Sequence, residues 1–211
     1  IKNIKALEII GKTEIICVDK TGILTKNNMT LNYIFDGEQL VELGDEKLSD
    51  KTAGALQLAT ACTMLDNDAT EKCIEDASIK YMSLSYQDVS NLFPRLAAIP
   101  FDSARKTMTS INMISGKPVA IVKGAPEILI EKCNVSEKDK ILELCNTLAE
   151  KSYRVICVAV KSLDEISSNP SPEEIESNLN LVGILALNDP PQSDTVEAIS
   201  TCQLAGINSG G

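Results

Sequence analysis

Residues 19–25, DKTGILT, combine side chains that could carry out phosphoryl transfer. They follow a continuous apolar run at 15–18, which predicts a strand covered on both faces with Asp19 at its end. A carboxylate in that position can attack phosphorus and form an acyl phosphate. Because two anions then meet, Mg²⁺ and donors such as Lys20, Thr21 and the loop amides would have to assist. The same residues could also form an ordinary surface turn.

The composition restricts which other chemistry is available. The chain has 211 residues with no His, so Ser-His and Cys-His nucleophile systems are excluded. Its seven cysteines include no CxxC pair, and we expect reduced, mostly buried thiols of a cytosolic protein. The net charge of −10 argues against a broad nucleic-acid or anionic-membrane surface. A polyanionic ligand would therefore need a local basic pocket.

The elements that would position these residues follow from apolar spacing. Asp36-Gly37 between two apolar stretches predicts a hairpin within 29–43. Helical spacing predicts helices at 51–65 and 70–84, and no apolar run is long enough to span a bilayer. Further strands are predicted at 96–101, 108–114, 118–123, 155–160 and 179–187, and further helices from Pro126, from Ser136 and over 196–204, with a loop at 167–174.

Four sequence motifs occur in a fixed order along the chain. They are DKTGILT at 19–25, FDSARKTM at 101–108, KGAPE at 123–127 and DPP at 189–191. The first resembles the phosphorylation motif DKTGTLT of P-type ATPases, and its flanks resemble the calcium-pump branch. The other three are similar to that family's adenine-side strand, nucleotide-pocket motif and hinge. The chain is therefore identified as resembling a P-type cation pump over nearly its whole length.

The resemblance implies roles for the residues of the first motif. Asp19 corresponds to the aspartate that the family phosphorylates, and Lys20 to the lysine beside it. Thr21 resembles the residue whose carbonyl helps to hold Mg²⁺ and whose side chain lies near the γ-phosphate. Asp19 and Thr21 are thus the expected metal ligands, and ATP and Mg²⁺ the expected cofactors.

A nucleotide pocket is implied by the second and third motifs. Phe101 resembles the aromatic residue that stacks on adenine, although it could also simply fill the core. Arg105 and Lys106 follow it, and if they alternate along a strand only one would face the pocket. Lys123 resembles the pocket lysine, and Gly124 begins a turn into a helix whose free N–H groups suit a polyphosphate.

Three further residues are assigned by the same resemblance. Arg154 is similar to the arginine that reaches the phosphates, but a surface ion pair is an alternative. Glu75, in KCIE, would be the acid of the family's DPTE segment or a plain helix-surface acid. Asp189 resembles the hinge aspartate near the ribose and phosphates. Ile23 and Gln192 replace the family's Thr and Arg.

The implied fold class is α/β, with a mainly antiparallel twisted sheet and packed helices, plus fragments of a haloacid-dehalogenase-like phosphorylation domain. Residues 28–190 would form the nucleotide-binding domain. Residues 1–27 and 191–207 would be parts of the phosphorylation domain whose two ends meet. Residues 208–211 would be a flexible tail at an added or truncated end.

The implied function is ATP binding in a pump that couples ATP hydrolysis, through an aspartyl phosphate at Asp19, to ion transport across a membrane. The partners would be ATP and the remaining phosphorylation, actuator and membrane domains, with no nucleic acid. This chain would lie on the cytoplasmic side of a membrane-embedded parent and would not bind the membrane itself. Since the family's TGD and GDGxND segments are not in this sequence, we expect weak nucleotide binding and no turnover by the chain alone.

Two other classes of function stay open. A haloacid-dehalogenase-type phosphatase shares the strand-to-aspartate loop, but that family generally carries a second Asp where this chain has Thr21. A non-catalytic nucleotide-binding or interaction module is favoured by Ile23. Adenine-dependent binding without turnover would support the pump, and hydrolysis of phosphomonoesters would support the phosphatase.

Overall fold

Groups of strands and groups of helices follow one another along the chain. The computed structural model describes residues 13–64, 68–165 and 171–210, apart from the side chains of Lys20, Thr21 and Ser209. The strands are β1 (Ile15–Cys17), β2 (Thr30–Phe35), β3 (Leu40–Glu42), β4 (Arg95–Asp102), β5 (Thr107–Ile114), β6 (Lys117–Gly124), β7 (Arg154–Ser162), β8 (Asn180–Asn188) and β9 (Asn208–Gly210). The helices are α1 (Asp50–Ala61), α2 (Ala69–Met82), α3 (Tyr86–Leu92), α4 (Pro126–Leu129), α5 (Lys138–Glu150), α6 (Pro172–Ile175) and α7 (Thr195–Leu204).

The chain divides into two compact units, Thr30–Asn188 and Ile1–Met29 with Asp189–Gly211. The larger unit contains a seven-stranded sheet in the order β3-β2-β8-β7-β6-β5-β4. Every neighbouring pair in it is antiparallel. The predicted α/β class with a mainly antiparallel sheet is therefore confirmed.

Helices cover both faces of this sheet. On one face, Ala55 of α1 lies so close to Gly183 of β8 that a Cβ there would be 3.1 Å from the Ala55 side chain. On the other face, Leu129 and Cys145 form a buried cluster with Val122 of β6. Because successive strand residues point to opposite faces, the residue after Val122 points toward α1 and α2. That residue is Lys123.

The hairpin and most predicted elements are confirmed. The Asp36 carboxylate accepts hydrogen bonds from the backbone N–H groups of Glu38 and Gln39, and Gly37 supplies the positive φ of +91°. The sequence pattern missed α3, whose start is fixed by a reciprocal hydrogen-bonding box between Ser85 and Asp88. Five of the seven cysteines are buried, as expected.

Expectations about the two chain ends are partly corrected. β1 pairs with β9, but it is not covered on both faces, since Ile15 is 63% exposed. Residues 208–210 do not form a loose tail, because they pair in parallel with β1. This pairing confirms that the two ends meet. Residues 1–12 and Gly211 lie outside the described residues.

Three local expectations are also corrected. Arg105 and Lys106 do not alternate along a strand but lie in the four-residue turn between β4 and β5, where Lys106 has a φ of +55°. Helix α5 starts at Lys138, and no side chain caps its N-terminus, so Ser136 is not a cap. Helix α6 begins inside the predicted loop at 167–174, and the first part of that range, up to residue 170, lies outside the described residues.

Within the described ranges, no helix combines the length and apolar character needed to cross a membrane.

Candidate functional site

A cavity of about 610 Å³ lies in the larger unit, beside α2 and the strands β4 to β7. It is formed where the turns after β4 and β6 approach the start of α2. Its walls combine apolar, cationic and acidic side chains. The lining residues are Met64, Asp68, Thr70, Glu71, Pro100, Phe101, Lys106, Met108, Lys123, Gly124, Ala125, Glu127, Arg154, Val155 and Ile156.

Phe101 provides an aromatic surface on the cavity wall. Its side chain lies near the end of β4 and is 60% exposed, so it does not fill the core. Met64, Met108 and Pro100 line the same cavity. An exposed aromatic ring beside flexible apolar side chains and nearby cations is suited to stacking against a flat, electron-poor ring.

Lys123 is the buried cation of the cavity. It projects from β6 and is 2% exposed, and its Nζ donates to both carboxylate oxygens of Glu71 at 2.8 Å. The backbone N–H of Met64 donates to the same carboxylate at 3.0 Å, and Thr63 Oγ1 lies 3.4 Å from Nζ. A buried charge pair is tolerated when both charges are hydrogen-bonded in this way. Glu71 therefore fixes the position of the ammonium group.

Arg154 is held at the N-terminal end of α2, beside Glu71. Its Nη1 donates to Thr70 Oγ1 at 2.5 Å, and Thr70 lies in the first turn of the helix. Asp68 caps that helix by accepting from the backbone N–H groups of Thr70 and Glu71. Burial raises the pKa of Asp68, but these hydrogen bonds and the Arg154 charge outweigh burial, so the pKa is lowered. The carboxylate therefore stays ionised at neutral pH.

A third cation, Lys106, lies at the rim of the cavity. Its Nζ lies 2.8 Å from Glu127 Oε1, and both side chains are about half exposed. The hydrogen bond from Lys106 is the main cause of a lowered pKa of Glu127. An exposed pair of this kind contributes little stability, so the lysine can exchange partners when an anionic ligand arrives.

Gly124 allows the two turns to meet. A Cβ on Gly124 would lie 2.6 Å from Thr107 Cγ2 and 2.8 Å from the backbone oxygen of Lys106. Neither distance is possible without displacing one of the two segments. The close approach is fixed by a hydrogen bond from the Ala125 backbone N–H to that same Lys106 oxygen, at 3.1 Å.

The smaller unit contains the DKTGILT segment. Asp19 is exposed and follows β1, and Lys20–Leu24 form a single π-helical turn in which Gly22 has a φ of +79°. Asp189 accepts hydrogen bonds from Thr25 Oγ1 and from the backbone N–H of Asn28 at 2.9 Å. The side chains of Lys20 and Thr21 lie outside the described part.

The amino-acid sequence matches a family model described as "P-type ATPase, cytoplasmic domain N" over residues 62–194. The chain belongs to the P-type ATPase family. Its relatives include Calcium-transporting ATPase 1 of Lactococcus lactis, 33% identical over 98% of this chain and 26% of that protein. A probable cation-transporting P-type ATPase of Mycoplasma genitalium is also 33% identical, over 98% of this chain and 23% of that protein. The sodium/potassium-transporting ATPase subunit alpha of Drosophila melanogaster is 26% identical over 98% and 25%.

This P-type ATPase chain spans about a quarter of the length of these relatives. The predicted family resemblance is confirmed, and the matched residues cover the whole cavity. The relatives are named for calcium, cation and sodium/potassium transport.

Of the predicted nucleotide-site residues in the P-type ATPase chain, four line the cavity: Phe101, Lys123, Gly124 and Arg154. Arg105 is not among the described lining residues, because it pairs with Glu176. Glu75 is not among them either, and its carboxylate accepts from the backbone N–H of Tyr86 at 3.3 Å. Asp189 belongs to the smaller unit.

Sequence reasoning missed Glu71 and the cap at Asp68, and it did not decide whether Arg105 or Lys106 faces the cavity. A signal for Glu71 and Asp68 was present, because residues 68–71 read DATE and match DPTE at three of four positions. The acid of that motif is then Glu71, one helical turn before Glu75.

Proposed function

We propose that the cavity is an ATP site of a cation-transporting P-type ATPase to which this chain contributes its nucleotide-binding domain. The observation that carries the proposal is the combination of an exposed aromatic ring, Phe101, with a buried and oriented ammonium group, Lys123, in one cavity. An aromatic ring binds a flat base by stacking, and an oriented cation selects the polar edge of that base or an adjacent anion.

The cavity supplies partners for the base and for the phosphates of a nucleotide. Adenine would stack on Phe101 against the methionine side chains, with Lys123 at its inner end. Arg154 and Lys106 are exposed enough to bind phosphate oxygens, since their present partners are a hydroxyl group and an exposed carboxylate. These few cations make a polyanion site compatible with the net charge of −10.

In the whole pump, we propose, Asp19 is the phosphorylation site. One carboxylate oxygen attacks the γ-phosphorus of ATP, the bond from that phosphorus to the β–γ bridging oxygen breaks, and ADP leaves with the electron pair. An aspartyl phosphate remains, which water later hydrolyses. The exposed position of Asp19 after β1 and the turn at Gly22 leave its carboxylate accessible to a γ-phosphate.

Mg²⁺ would accompany this reaction and neutralise charge on the phosphates. In proteins Mg²⁺ is commonly held by one or two carboxylates together with phosphate oxygens and waters. Asp19 fits one such ligand, and the Thr21 carbonyl is a second oxygen in the same turn. Within residues 13–64, 68–165 and 171–210, no three His, Cys, Asp or Glu side chains gather into a metal-binding group. Phosphate oxygens and water would supply the remaining Mg²⁺ ligands.

The family assignment and the relatives' names support the remaining parts of the proposal. The smaller unit would belong to the phosphorylation domain, and the rest of the pump, including its membrane part, would be the partner of this chain. The whole protein would lie in a membrane with these residues on the cytoplasmic side, and calcium is the transported ion that the Lactococcus relative suggests.

Replacing Phe101 by Ala should weaken ATP binding about tenfold, because stacking of a base on an aromatic side chain contributes about 1–3 kcal/mol. Isothermal titration of the 211-residue chain with ATP measures the change. Binding of tripolyphosphate, which has no base, should not change.

Leu96→Ala is the matched control, because Leu96 is an exposed apolar residue of the same strand that is not among the described lining residues. Equal affinities of wild type and Phe101→Ala for ATP would contradict the stacking role. Hydrolysis of p-nitrophenyl phosphate by the chain would instead favour a phosphatase.

Replacing Asp19 by Asn in the intact pump should abolish phosphoenzyme formed from γ-labelled ATP, since an amide cannot form the acyl phosphate. ATP binding should be retained. Asp194→Asn, an exposed acid of the same unit, is the control and should be phosphorylated normally. Persistent labelling of Asp19→Asn would place the phosphorylation elsewhere.

A further inference from the structure

Glu176 is a buried carboxylate outside the cavity. It follows α6 and is 2% exposed, yet it accepts four hydrogen bonds from side chains. The donors are Arg105 Nη1 at 2.5 Å, Thr107 Oγ1 at 2.9 Å, Thr109 Oγ1 at 2.9 Å and Lys132 Nζ at 3.1 Å. Two cations and two hydroxyl groups therefore converge on one buried acid.

These donors come from the segments that form the cavity walls. Arg105 is the neighbour of Lys106 in the β4–β5 turn, and Thr107 directly precedes the lining residue Met108. Lys132 follows α4, the helix that begins after the lining residues Gly124 and Ala125. One carboxylate is thus connected to both turns that meet at the rim.

Glu176 acts from the opposite face of the sheet. Thr107 and Thr109 point to the same face of β5, and Met108 between them points to the other face, toward the cavity. Ile175 packs on that opposite face against Ile111, which places the α6 segment directly over β5. The four donors to the carboxylate are not among the described lining residues, so Glu176 holds the backbone from which the cavity residues project.

The turn needs such a constraint. Lys106 has a φ of +55°, a conformation that non-glycine residues rarely adopt. Its backbone N–H donates to the Asp102 oxygen at 2.7 Å, and its own oxygen accepts from Ala125 N–H at 3.1 Å. Glu176 holds Arg105 on the face of the sheet opposite the cavity. The side chain of the next residue, Lys106, is therefore directed toward the cavity.

The charge of Glu176 persists at neutral pH. Burial raises the pKa of this carboxyl group, but hydrogen bonds from Lys132, Thr109 and Thr107 and the Arg105 charge outweigh burial and lower the pKa.

We propose that Glu176 is a positioning residue for the nucleotide cavity: by binding Arg105, Thr107, Thr109 and Lys132 together, it fixes the two turns that present Lys106, Gly124 and Ala125 to the ligand. The proposal rests on ATP binding as the function of the cavity. Its effect on the two turns can nevertheless be measured without any nucleotide.

Glu176→Gln keeps the size of the side chain but removes its charge. In the free chain, amide hydrogen exchange at Lys106 and Ala125 should become about tenfold faster, because their partner segments are no longer fixed. Titration with ATP should show an affinity about fivefold lower, a size typical of coupling between contacting residues. Glu131→Gln, which removes a surface partner of Lys138, is the control and should leave both readouts unchanged.

A double-mutant cycle distinguishes positioning from a general loss of stability. In a Lys106→Ala background, Glu176→Gln should lower ATP affinity by less than twofold, whereas a general loss of stability would act equally in both backgrounds. If Glu176→Gln does not fold, Arg105→Gln provides a milder break of the same anchor and should accelerate exchange at the same two amides.

Unchanged exchange at Lys106 and Ala125 in the folded variants would overturn the proposal, as would an equal loss of ATP affinity in both backgrounds. Absence of ATP binding by the wild type would instead contradict the function proposed for the cavity. In that case the exchange measurement still decides whether Glu176 fixes the two turns.

Discussion

Glu71→Gln should lower the free energy of unfolding by about 3–5 kcal/mol, because it leaves the buried Lys123 ammonium without its counter-charge. The substitution preserves side-chain volume, so no cavity contributes to the loss. The remaining amide oxygen can accept only part of the three hydrogen bonds that the carboxylate now receives from Lys123 and Met64. Urea unfolding followed by circular dichroism measures the change.

Glu75→Gln is the matched control on the same helix. Glu75 is partly exposed and accepts one hydrogen bond from the Tyr86 backbone, so its substitution should change stability by about 0.5 kcal/mol or less. A larger loss for Glu75→Gln than for Glu71→Gln would contradict the assignment of the motif's acid to Glu71.

A compensating variant separates stability from function. Glu71→Gln combined with Lys123→Met removes both charges, so the double variant no longer buries an ammonium group without its counter-charge. We expect the double variant to recover most of the lost unfolding free energy. It should still bind ATP more weakly than wild type, because the oriented ammonium group is gone.

The strands of the sheet were predictable because each of them is encoded by a run of apolar residues in its own segment of sequence. Runs such as those of β6, β7 and β8 are buried on both faces by helices, and this environment requires continuous apolar residues. Helix α3 escaped prediction because a single residue, Val89, is buried in it, so it has no apolar stripe. Its Ser85–Asp88 box was the available signal.

The orientation of Arg105 and Lys106 was not predictable from alternation. Alternation applies within a strand, whereas these residues lie in a turn set by Asp102, whose side chain accepts from the backbone N–H groups of Ala104 and Arg105. Which cation reaches the cavity then depends on Glu176, which is 71 positions away from Arg105. A contact of that range leaves no pattern in the local sequence.

The pairing of Glu71, the acid of the cavity, with Lys123 was also not predictable from the local sequence. Glu71 and Glu75 lie one turn apart on α2, so helical periodicity places both on similar faces. Only Glu71 contacts Lys123, which is 52 positions away on β6. Sequence motifs predicted Phe101, Lys123 and Arg154 as site residues, but the choice of their partners depends on how α2 packs against the sheet.

Gly124→Ala should weaken ATP binding more than tenfold and lower the unfolding free energy by about 1–3 kcal/mol, the usual cost of forcing an extra methyl group into a packed region. The new Cβ would lie 2.6 Å from Thr107 Cγ2 and 2.8 Å from the Lys106 oxygen, and the latter is a backbone atom that cannot rotate away. The β4–β5 turn must therefore move, and with it the side chains that line the rim. ATP titration and urea unfolding measure the two effects.

Two variants test this steric explanation. Gly54→Ala adds the same methyl group inside α1, where no atom beyond the neighbouring backbone of the helix lies within 4 Å of it. This variant should raise stability by about 0.5–1 kcal/mol with unchanged ATP affinity. Thr107→Ser removes the nearer of the two clashing atoms while keeping the hydroxyl group that donates to Glu176. Combined with Gly124→Ala, it should recover part of the stability and part of the ATP affinity, because the contact with the Lys106 oxygen remains. Full recovery would show that the side-chain contact alone sets the spacing of the turns, and no recovery would show that the backbone contact does.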